Sequence, residues 1–331
     1  MRPLCTAILG CGDFANRHAA NIVAMPERLE LVAFCDINLQ HARTFAQKYA
    51  QNAKIFSDFH PMLDEVKPDL LVICLPPFGH SDEVEAAAKR GIHILIEKPI
   101  ALSSEQAWKM VEAAEAAKIK TQVGFMFRFG AAVTELKSLI ESGQAGELGL
   151  MSARYFCNSL HSDWWRMRDK SGGQLAEQVI HLVDLMRYIM GDAQTVYSLQ
   201  NNLFHRDVPD YTIEDVSGTV VGFKNGGIGV IYATNGAVPN KWFSDYRVVT
   251  RNLVAEFADA NHATFTYTGG PYSQSVSISS DVDYYRLELL DLLNAIETGG
   301  ETRTPMRQGA LSLDLALAAT RSAESAGVVK L

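Results

Sequence analysis

Cysteine is scarce in this 331-residue chain and follows no pattern of spacing. The five cysteines are odd in number and contain no Cys-x-x-Cys pair, so they give no sign of a disulfide framework. Most lie in apolar, strand-like segments and resemble reduced core thiols, which persist where glutathione and thioredoxin keep thiols reduced. We therefore predict a cytoplasmic protein. The cysteines are Cys5, Cys11, Cys35, Cys74 and Cys157.

Runs of basic residues and long apolar runs are also missing. The chain has 30 Lys and Arg against 38 Asp and Glu, a net charge of -8, and so lacks the basic footprint that binding a phosphate backbone requires. The first apolar run is interrupted by Gly10 and Gly12, which makes it too short for a signal peptide, and no other stretch has membrane-spanning length. Neither nucleic acid nor a membrane is an expected partner.

The remaining composition is that of a folded globular protein. Hydrophobic residues make up 47% and charged residues 21% of the chain. Since 331 residues exceed the size at which one hydrophobic core keeps growing, two domains are expected.

Short apolar runs alternate with helical segments in the first part of the chain. The runs cover residues 4–9, 29–35, 70–75 and 93–96, and a helix is predicted over 104–117 with Ser103 as its N-cap. This alternation indicates right-handed βαβ crossovers and a doubly wound parallel sheet. We predict a Rossmann domain over residues 1–127.

The pattern changes near residues 125–129, after which strand-like runs dominate. Residues 216–223 and 228–234 flank Lys224-Asn225-Gly226-Gly227, a strong hairpin signal because Asn-Gly accepts the positive φ angles of such turns. Helices are expected over 133–141, after Gly172-Gly173, and over 308–325. We predict an α+β domain with an open, mainly antiparallel sheet over residues 128–331. Its other strand candidates are 149–157, 195–203, 246–250, 254–258 and 263–268.

The first strand leads into a dinucleotide-binding fingerprint. Residues 10–15, Gly-Cys-Gly-Asp-Phe-Ala, have the GxGxxA form between a strand and a helix. Gly10 permits the tight turn, Gly12 lets the backbone approach a pyrophosphate, and Ala15 allows close packing of helix on strand. With Asp13 and Phe14, these residues are predicted to bind the cofactor, with the phosphates at the helix N-terminus.

Asp36 ends the second strand, where this fold places an acid on the adenosine ribose. A carboxylate there accepts hydrogen bonds from both ribose hydroxyls and repels a 2′-phosphate, which favours NAD over NADP. Arg43 lies a few residues further on and offers an alternative site for that phosphate.

Lys98 follows the strand 93–96 within Glu97-Lys98-Pro99 and so stands at the carboxyl edge of the sheet, where open α/β folds keep their ligands. A cation there can orient a substrate hydroxyl and stabilise developing alkoxide charge. By position alone, a solvated surface lysine explains it equally well.

In the helix after Gly172-Gly173, Glu177, His181 and Asp184 are spaced i, i+4 and i+7 and share one stripe. A histidine with a carboxylate one turn away is a candidate general base. Two alternatives remain, the wet face of an amphipathic helix and a metal site with His161 or Asp184 as further donors. No spacing pattern supports a third metal ligand, so no metal is predicted.

Taken together, these motifs resemble the glucose-fructose oxidoreductase/inositol dehydrogenase family, written Gfo/Idh/MocA. The resemblance covers nearly the whole chain and depends on residues 7–12, on Leu75-Pro76-Pro77 with His80, on 91–99 (GIHILIEKP), and on Gly172-Gly173 followed by His181 and Asp184. It implies that NAD(P) binds the first domain, that substrates are similar to sugars or polyols, and that the open sheet joins subunits into a homodimer or homotetramer.

The resemblance also implies roles for individual residues. Lys98 matches the catalytic-site lysine of the family and His181 its proton-transferring residue, while Glu177 occupies the place of an Asp in better-known members. Residues of the matching strand ends would contribute to the cofactor site. They are Leu75, Pro76, His80, Glu97 and Lys98. The chain departs from the family at two places: Glu177 replaces the usual Asp, and a Gly-Gly-Gln element stands where three glycines are usual.

A tryptophan doublet precedes two arginines in the second domain. Trp164 and Trp165 offer a stacking wall for a sugar ring, with Arg166 and Arg168 as anchors for an acidic group. Asp184 is a further candidate on the substrate side. A packed loop beneath the sheet explains the doublet equally well.

The leading functional hypothesis is reversible oxidation of a secondary alcohol on a sugar, sugar acid or cyclitol by NAD(P), with His181 taking the hydroxyl proton. One alternative is a glycosidase that oxidises its substrate transiently and restores its bound NAD. Another is a non-catalytic NAD(P)-binding sensor, which would need neither Lys98 nor His181.

Overall fold

A six-stranded parallel sheet forms the centre of the first part of the chain. The structure is a computed structural model and describes residues 2–270 and 273–331. The strands of this sheet are β1 Leu4–Leu9, β2 Leu29–Cys35, β3 Lys54–Phe56, β4 Leu70–Ile73, β5 His93–Ile96 and β6 Thr121–Val123. They run in the order β3-β2-β1-β4-β5-β6, so the order reverses at β1 and β4, the switch point where such folds bind ligands. The predicted doubly wound sheet is confirmed.

Five helices connect these strands. They are α1 Ala15–Val23, α2 Leu39–Tyr49, α3 Phe59–Val66, α4 Glu83–Ala88 and α5 Ser104–Ala117. Helix α5 begins and ends where the sequence predicts, and its N-cap Ser103 accepts a hydrogen bond from the backbone N–H of Gln106 at 3.2 Å. A short 3-10 turn, Pro77–Gly79, follows β4.

The division of the chain into compact units differs from a single boundary after residue 127. One unit comprises Met1–Gly124 together with Tyr285–Ala310, and the other comprises Phe125–Tyr284 and Leu311–Leu331. The physical reason is helix α10, Tyr284–Thr298, which the sequence-based assignment lacks. Its residues Leu289, Leu292 and Leu293 are buried in the same apolar cluster as Ile8 and Leu95 of the parallel sheet.

A nine-stranded sheet forms the centre of the second unit. Its strands are β7 Leu148–Phe156, β8 Ala193–Asn201, β9 Val216–Phe223, β10 Ile228–Thr234, β11 Tyr246–Thr250, β12 Leu253–Phe257, β13 Ala263–Tyr267, β14 Gln274–Ile278 and β15 Val329–Lys330. The order is β14-β13-β12-β11-β7-β10-β9-β8-β15, with β7 and β10 parallel and the other pairs antiparallel. The predicted hairpin joins β9 to β10, and Gly226 in its turn has a φ of +87°.

The two faces of this sheet differ. Alternate residues such as Met151, Val221 and Ile231 are buried against an apolar cluster that includes residues of the helices. The register brings Tyr197, Val220 and other exposed residues onto the opposite face. The helices of this unit are α6 Ala131–Glu141, α7 Arg168–Ser171, α8 Gln174–Glu177 and α9 Ile180–Met190, with 3-10 turns at Met126–Phe129 and Asp163–Arg166. Helix α11, Met306–Ser325, begins in the first unit and belongs to the second from Leu311 onward.

All five cysteines are free thiols, in agreement with the sequence-based prediction. Over residues 2–270 and 273–331, no helix combines the length and apolar character that crossing a membrane needs.

Candidate active site

Backbone hydrogen bonds tie the carboxyl ends of the parallel strands into one row. The N–H of Gly10 donates to the carbonyl of Cys35 at 2.8 Å, and the N–H of Cys74 donates to that of Leu9 at 2.8 Å. The N–H of Glu97 in turn donates to the carbonyl of Ile73 at 2.9 Å. The residues after β1, β2, β4 and β5 therefore share one edge of the sheet.

The glycine loop has the geometry that the fingerprint predicts. Gly10 has a φ of +87°, and a Cβ on it would lie 2.4 Å from the carbonyl oxygen of Cys74, so no side chain fits. A Cβ on Gly12 would meet no atom within 4 Å, which leaves room for a ligand phosphate to approach the backbone. Asp13 is exposed, and the half-exposed ring of Phe14 packs near His18. The loop fits a dinucleotide.

Asp36 lies directly beside this loop. Its carboxylate accepts hydrogen bonds from the backbone N–H of Cys11 and from that of Asn38, each at 2.8 Å, through different oxygens. His41 stands 3.6 Å from the carboxylate, and Arg43 is exposed on α2. Because each carboxylate oxygen carries two acceptor positions, Asp36 can link the glycine loop to a ribose while keeping both backbone bonds.

The segment after β4 holds a buried histidine–glutamate pair. His80 Nδ1 lies 2.6 Å from Glu83 Oε1, and both side chains are fully buried. Burial alone would raise the pKa of Glu83, but the hydrogen bonds from His80 and the backbone N–H of Ser81 hold that pKa below its usual value. Leu75 and Pro76 are half-buried at the start of this segment. His80 therefore supports the segment from within.

A second buried pair supports the Glu97-Lys98 element. Glu97 Oε1 lies 2.7 Å from Nε2 of His18 on α1, and both side chains are almost inaccessible. A Cβ on Gly124 would lie within 2.8 Å of all three carboxylate atoms of Glu97, so a glycine is needed there. Lys98 is half-buried, and its backbone N–H donates to Glu97 Oε2 at 3.3 Å. The lysine thus extends from a fixed base and not from a mobile surface loop.

In the second unit, the helix predicted after Gly172-Gly173 is interrupted. Residues 174–177 form α8, and α9 begins at Ile180, so Glu177 and His181 lie on different helices. His181 is half-buried in the first turn of α9. Its imidazole packs against Phe127 with ring centroids 5.3 Å apart and against Phe125 at 6.3 Å.

Asp184 does not belong to a wet face. It is 1% exposed and accepts two hydrogen bonds from the guanidinium of Arg128, at 2.7 and 2.6 Å, and one from Ser312 at 2.9 Å. The alternative of a wet helix face is wrong at this position, because the carboxylate is buried against the guanidinium of Arg128. Arg128 escaped the sequence-based analysis, although a charge within the apolar run 125–129 signals a buried partner.

The tryptophan doublet has two different environments. Trp165 is 2% exposed and packs with Tyr211 and Ile213, so the packing alternative describes it. Its indole N–H donates to Glu177 Oε2 at 2.8 Å, which holds the Glu177 carboxylate in place. Trp164 is half-buried next to this cluster.

Arg168 is paired with a carboxylate that the sequence did not reveal. Its guanidinium donates to Glu214 at 2.8 Å, and the backbone N–H of Leu175 donates to the other oxygen of Glu214 at 2.8 Å. Burial raises the pKa of Glu214, and Arg168 opposes that shift. A Cβ on Gly173 would lie 2.6 Å from Glu214, so this acid explains the second glycine of the element. Arg166 instead pairs with Asp163 in its own turn.

Gln174 replaces the third glycine and fills a buried polar cluster. Its amide nitrogen lies 3.5 Å from Cys157 Sγ and 3.4 Å from Gln178 Oε1. Burial raises the pKa of Cys157 to about 12, so this thiol is not a nucleophile near neutral pH. Gln178 also contacts His161 at 2.8 Å. In the described part of the chain, no three His, Cys, Asp or Glu side chains form a group suited to a metal ion.

Comparisons with known proteins agree with this architecture. Residues 4–125 match the oxidoreductase family with an NAD-binding Rossmann fold, and residues 133–271 match the GFO/IDH/MocA C-terminal domain. D-glucoside 3-dehydrogenase of Escherichia coli is 31% identical over 68% of this chain and 68% of its own length. Myo-inositol 2-dehydrogenase of Thermotoga maritima is 27% identical over 98% and 97%. A structure of levoglucosan dehydrogenase in complex with NADH and L-sorbose has a TM-score of 0.91 and 20% identity, covers 100% of this chain and 99% of its own, and shows the shared fold.

The fold and the glycine loop define an NAD-dependent oxidoreductase. More specifically, the chain belongs to the Gfo/Idh/MocA family, as its motifs predict.

Proposed function

We propose that this protein is a dehydrogenase that oxidises a secondary alcohol of a sugar, sugar acid or cyclitol with NAD, or runs the reverse reduction. The observation that carries the proposal is the fixed position of Lys98, which a buried Glu97–His18 pair holds at the cofactor edge of a family Rossmann sheet. Relatives named for D-glucoside and myo-inositol support the substrate class.

The cofactor would be held by the strand-end residues of the first unit. Gly10 and Gly12 would admit the pyrophosphate, Asp36 would accept hydrogen bonds from the adenosine ribose, and Glu97 with Lys98 would border the nicotinamide end. Bound NAD supplies the acceptor for the two electrons and hydrogen removed from the alcohol carbon. Asp36 gives the site its preference for NAD over NADP.

The chain's own residues manage charge and proton. Lys98 donates a hydrogen bond to the substrate oxygen and stabilises the negative charge that develops on it. His181 accepts the hydroxyl proton at an imidazole nitrogen and returns it in the reduction. Glu177, fixed by the indole of Trp165, sets the electrostatic environment of this proton transfer. Trp164 and Arg168 contribute to the substrate side.

A spectrophotometric screen tests the function. Purified protein with NAD or NADP is offered a panel of sugars, sugar acids and cyclitols, and absorbance at 340 nm reports reduced cofactor. At least one compound should give NADH, and its analogue deoxygenated at the reacting carbon should give none. Absence of turnover in both directions across the panel, with NAD binding intact by fluorescence, would contradict the proposal.

We further propose that the open face of the second sheet joins subunits into a homodimer or homotetramer. The exposed face carries apolar side chains on adjacent strands, an arrangement typical of an interaction surface. They are Leu150, Tyr197, Leu199, Val220, Ile228 and Tyr232. Light scattering after size-exclusion chromatography should give a dimer or tetramer, and Val220→Arg should shift it to smaller species. A wild-type monomer would contradict the assignment.

The compartment is proposed to be the cytoplasm. All five cysteines are free, and three of them are buried thiols in strand or loop segments. Cell fractionation with detection of the full-length protein tests the location, and recovery outside the cytoplasm would contradict it.

A further inference from the structure

A buried ion pair lies next to the histidine proposed to transfer the proton. Arg128 and Asp184 are 3% and 1% exposed, and the guanidinium holds both carboxylate oxygens in a fork. The hydroxyl of Ser312 on α11 donates to the same carboxylate at 2.9 Å and accepts a hydrogen bond from Arg187 at 2.9 Å. The carboxylate is therefore fixed from two elements.

The pair stands in a cationic environment. The guanidinium of Arg128 lies over the ring of Tyr188 at 4.6 Å, and the ammonium of Lys137 lies over the same ring at 4.8 Å. Burial lowers the pKa of Lys137, Glu141 opposes that shift, and Arg128 lowers the pKa further. Asp184 is thus the carboxylate that balances Arg128 in this cluster, with Arg187 one turn further along α9.

The same short turn contacts α9 at two points. Phe127 packs on the imidazole of His181, and Arg128, the next residue, clamps Asp184 three positions after that histidine. Residues three apart on a helix are neighbours on its surface, about 5–6 Å between Cβ atoms. The turn Met126–Phe129 therefore holds the histidine and its carboxylate neighbour together.

We propose that Arg128 is a positioning residue for His181: its ion pair with Asp184 locks the turn of α9 that presents the imidazole and keeps the Asp184 carboxylate from pairing with it. This inference rests on the proposed proton-transfer role of His181. Since both side chains are buried, the pair acts through His181 in this proposal and not by contact with the substrate, which also removes Asp184 from the substrate-side candidates.

Removing the charge of Arg128 and removing the charge of Asp184 should have opposite electrostatic effects on His181. In Arg128→Gln, the Asp184 carboxylate loses its counter-ion and stabilises the protonated imidazole, so His181 should titrate at higher pH. In Asp184→Asn, the guanidinium is left without its counter-ion and disfavours a second cation, so His181 should titrate at lower pH. The double variant removes both charges and should return the titration close to that of the wild type. A general loosening of the helix predicts no such change of sign.

The test is an NMR titration of the NAD-saturated, full-length protein with labelled histidine, in which His181→Gln assigns the signal. Other titratable or charged groups of this region are all retained, namely Lys137, Glu141, Glu177, Arg187, Tyr188, Asp192, Tyr284 and Asp314. Ile189→Val, a buried change on the same helix, is the matched control and should leave the midpoint unchanged. Shifts of the same sign in both single variants, or a shift as large in the control, would overturn the proposal.

Arg128→Lys keeps the positive charge but cannot donate to both oxygens of Asp184 as the guanidinium does. This variant is the alternative test if Arg128→Gln does not fold. In this variant the titration midpoint of His181 should stay at the wild-type value. The kcat should fall about tenfold to a hundredfold, because a displaced general base is inefficient, while KM should stay within about twofold. An unchanged kcat would contradict the positioning role. The titration does not depend on turnover. If Arg128→Gln and Asp184→Asn shift the His181 midpoint in opposite directions while His181→Gln is fully active, only the proposed function is disproved.

Discussion

The two regions that carry the proposed chemistry are held in place by different means. In the first unit, the glycine loop, Asp36 and Lys98 stand at the ends of neighbouring parallel strands and are joined largely through backbone hydrogen bonds. In the second, His181 stands on a helix whose charged neighbour Asp184 is held by side chains far away in sequence. The strand edge is set by topology and reinforced by the buried Glu97–His18 pair, whereas the position of the helix depends on buried side-chain pairs alone, so single substitutions should disturb the second region more widely.

The largest effect is expected from His181→Ala. Removing a general base costs roughly 10²–10⁴ in kcat, and the loss should be smaller at high pH, where solvent hydroxide partly substitutes. NAD affinity, measured by fluorescence, should remain close to wild type because the residue does not bind the pyrophosphate or adenosine. Turnover within a few-fold of wild type at neutral pH would remove His181 from the mechanism.

Lys98→Met is the counterpart in the strand-edge region. Loss of the cation removes electrostatic stabilisation of the developing alkoxide and should cost about 10²–10³ in kcat. In contrast to the histidine variant, raising the pH should restore nothing, since hydroxide cannot replace a cation. The far-UV circular dichroism serves as the control for folding. A pH-dependent recovery equal to that of His181→Ala would mean that the two residues do not have separate roles.

The strand-edge region could be predicted from the sequence because its determinants are local. The glycine loop, Asp36 and Lys98 each follow an apolar run at fixed spacing, and parallel strands bring such positions to one edge. The exception is His18, since nothing in the spacing shows that it pairs with Glu97, 79 residues away. Periodicity reveals faces of elements but not the partners of buried polar groups.

The helix region could be predicted less completely from the sequence, because its buried polar groups also have distant partners. The spacing of Glu177, His181 and Asp184 predicts one stripe, but a non-helical turn at Gln178 and Val179 separates the first residue from the others. Burial of Asp184 depends on Arg128, 56 positions earlier, and on Ser312, 128 positions later. Likewise, Gly173 is explained by Glu214 from the segment before β9. Long-range ion pairs override helical periodicity here.

A smaller effect is expected from Asp36→Ala, which tests whether a strand-end side chain can be changed without wider damage. Loss of the charge-assisted bonds to ribose should weaken NAD binding about tenfold and narrow its advantage over NADP, because repulsion of the 2′-phosphate disappears. Asp36→Asn removes the charge but keeps an oxygen that can accept from the N–H of Cys11. It therefore distinguishes the effect of the charge from the effect of the contact with the glycine loop. A wild-type preference for NADP in fluorescence titrations would show that the role of Asp36 is wrong and direct attention to Arg43.

The smallest effect is expected in the tryptophan doublet, where the two neighbours should behave differently. Trp164→Ala should raise KM for the substrate by a few-fold and leave NAD affinity unchanged, because its ring is half-buried and offers a stacking surface. Trp165→Phe keeps most of the buried packing but removes the N–H that holds Glu177, so it should lower the unfolding free energy by about 1 kcal/mol and reduce kcat without changing KM. Steady-state kinetics and thermal unfolding of both variants decide the matter. If Trp164→Ala lowers only the melting temperature, both tryptophans are packing residues and the substrate wall must be sought elsewhere in the second unit.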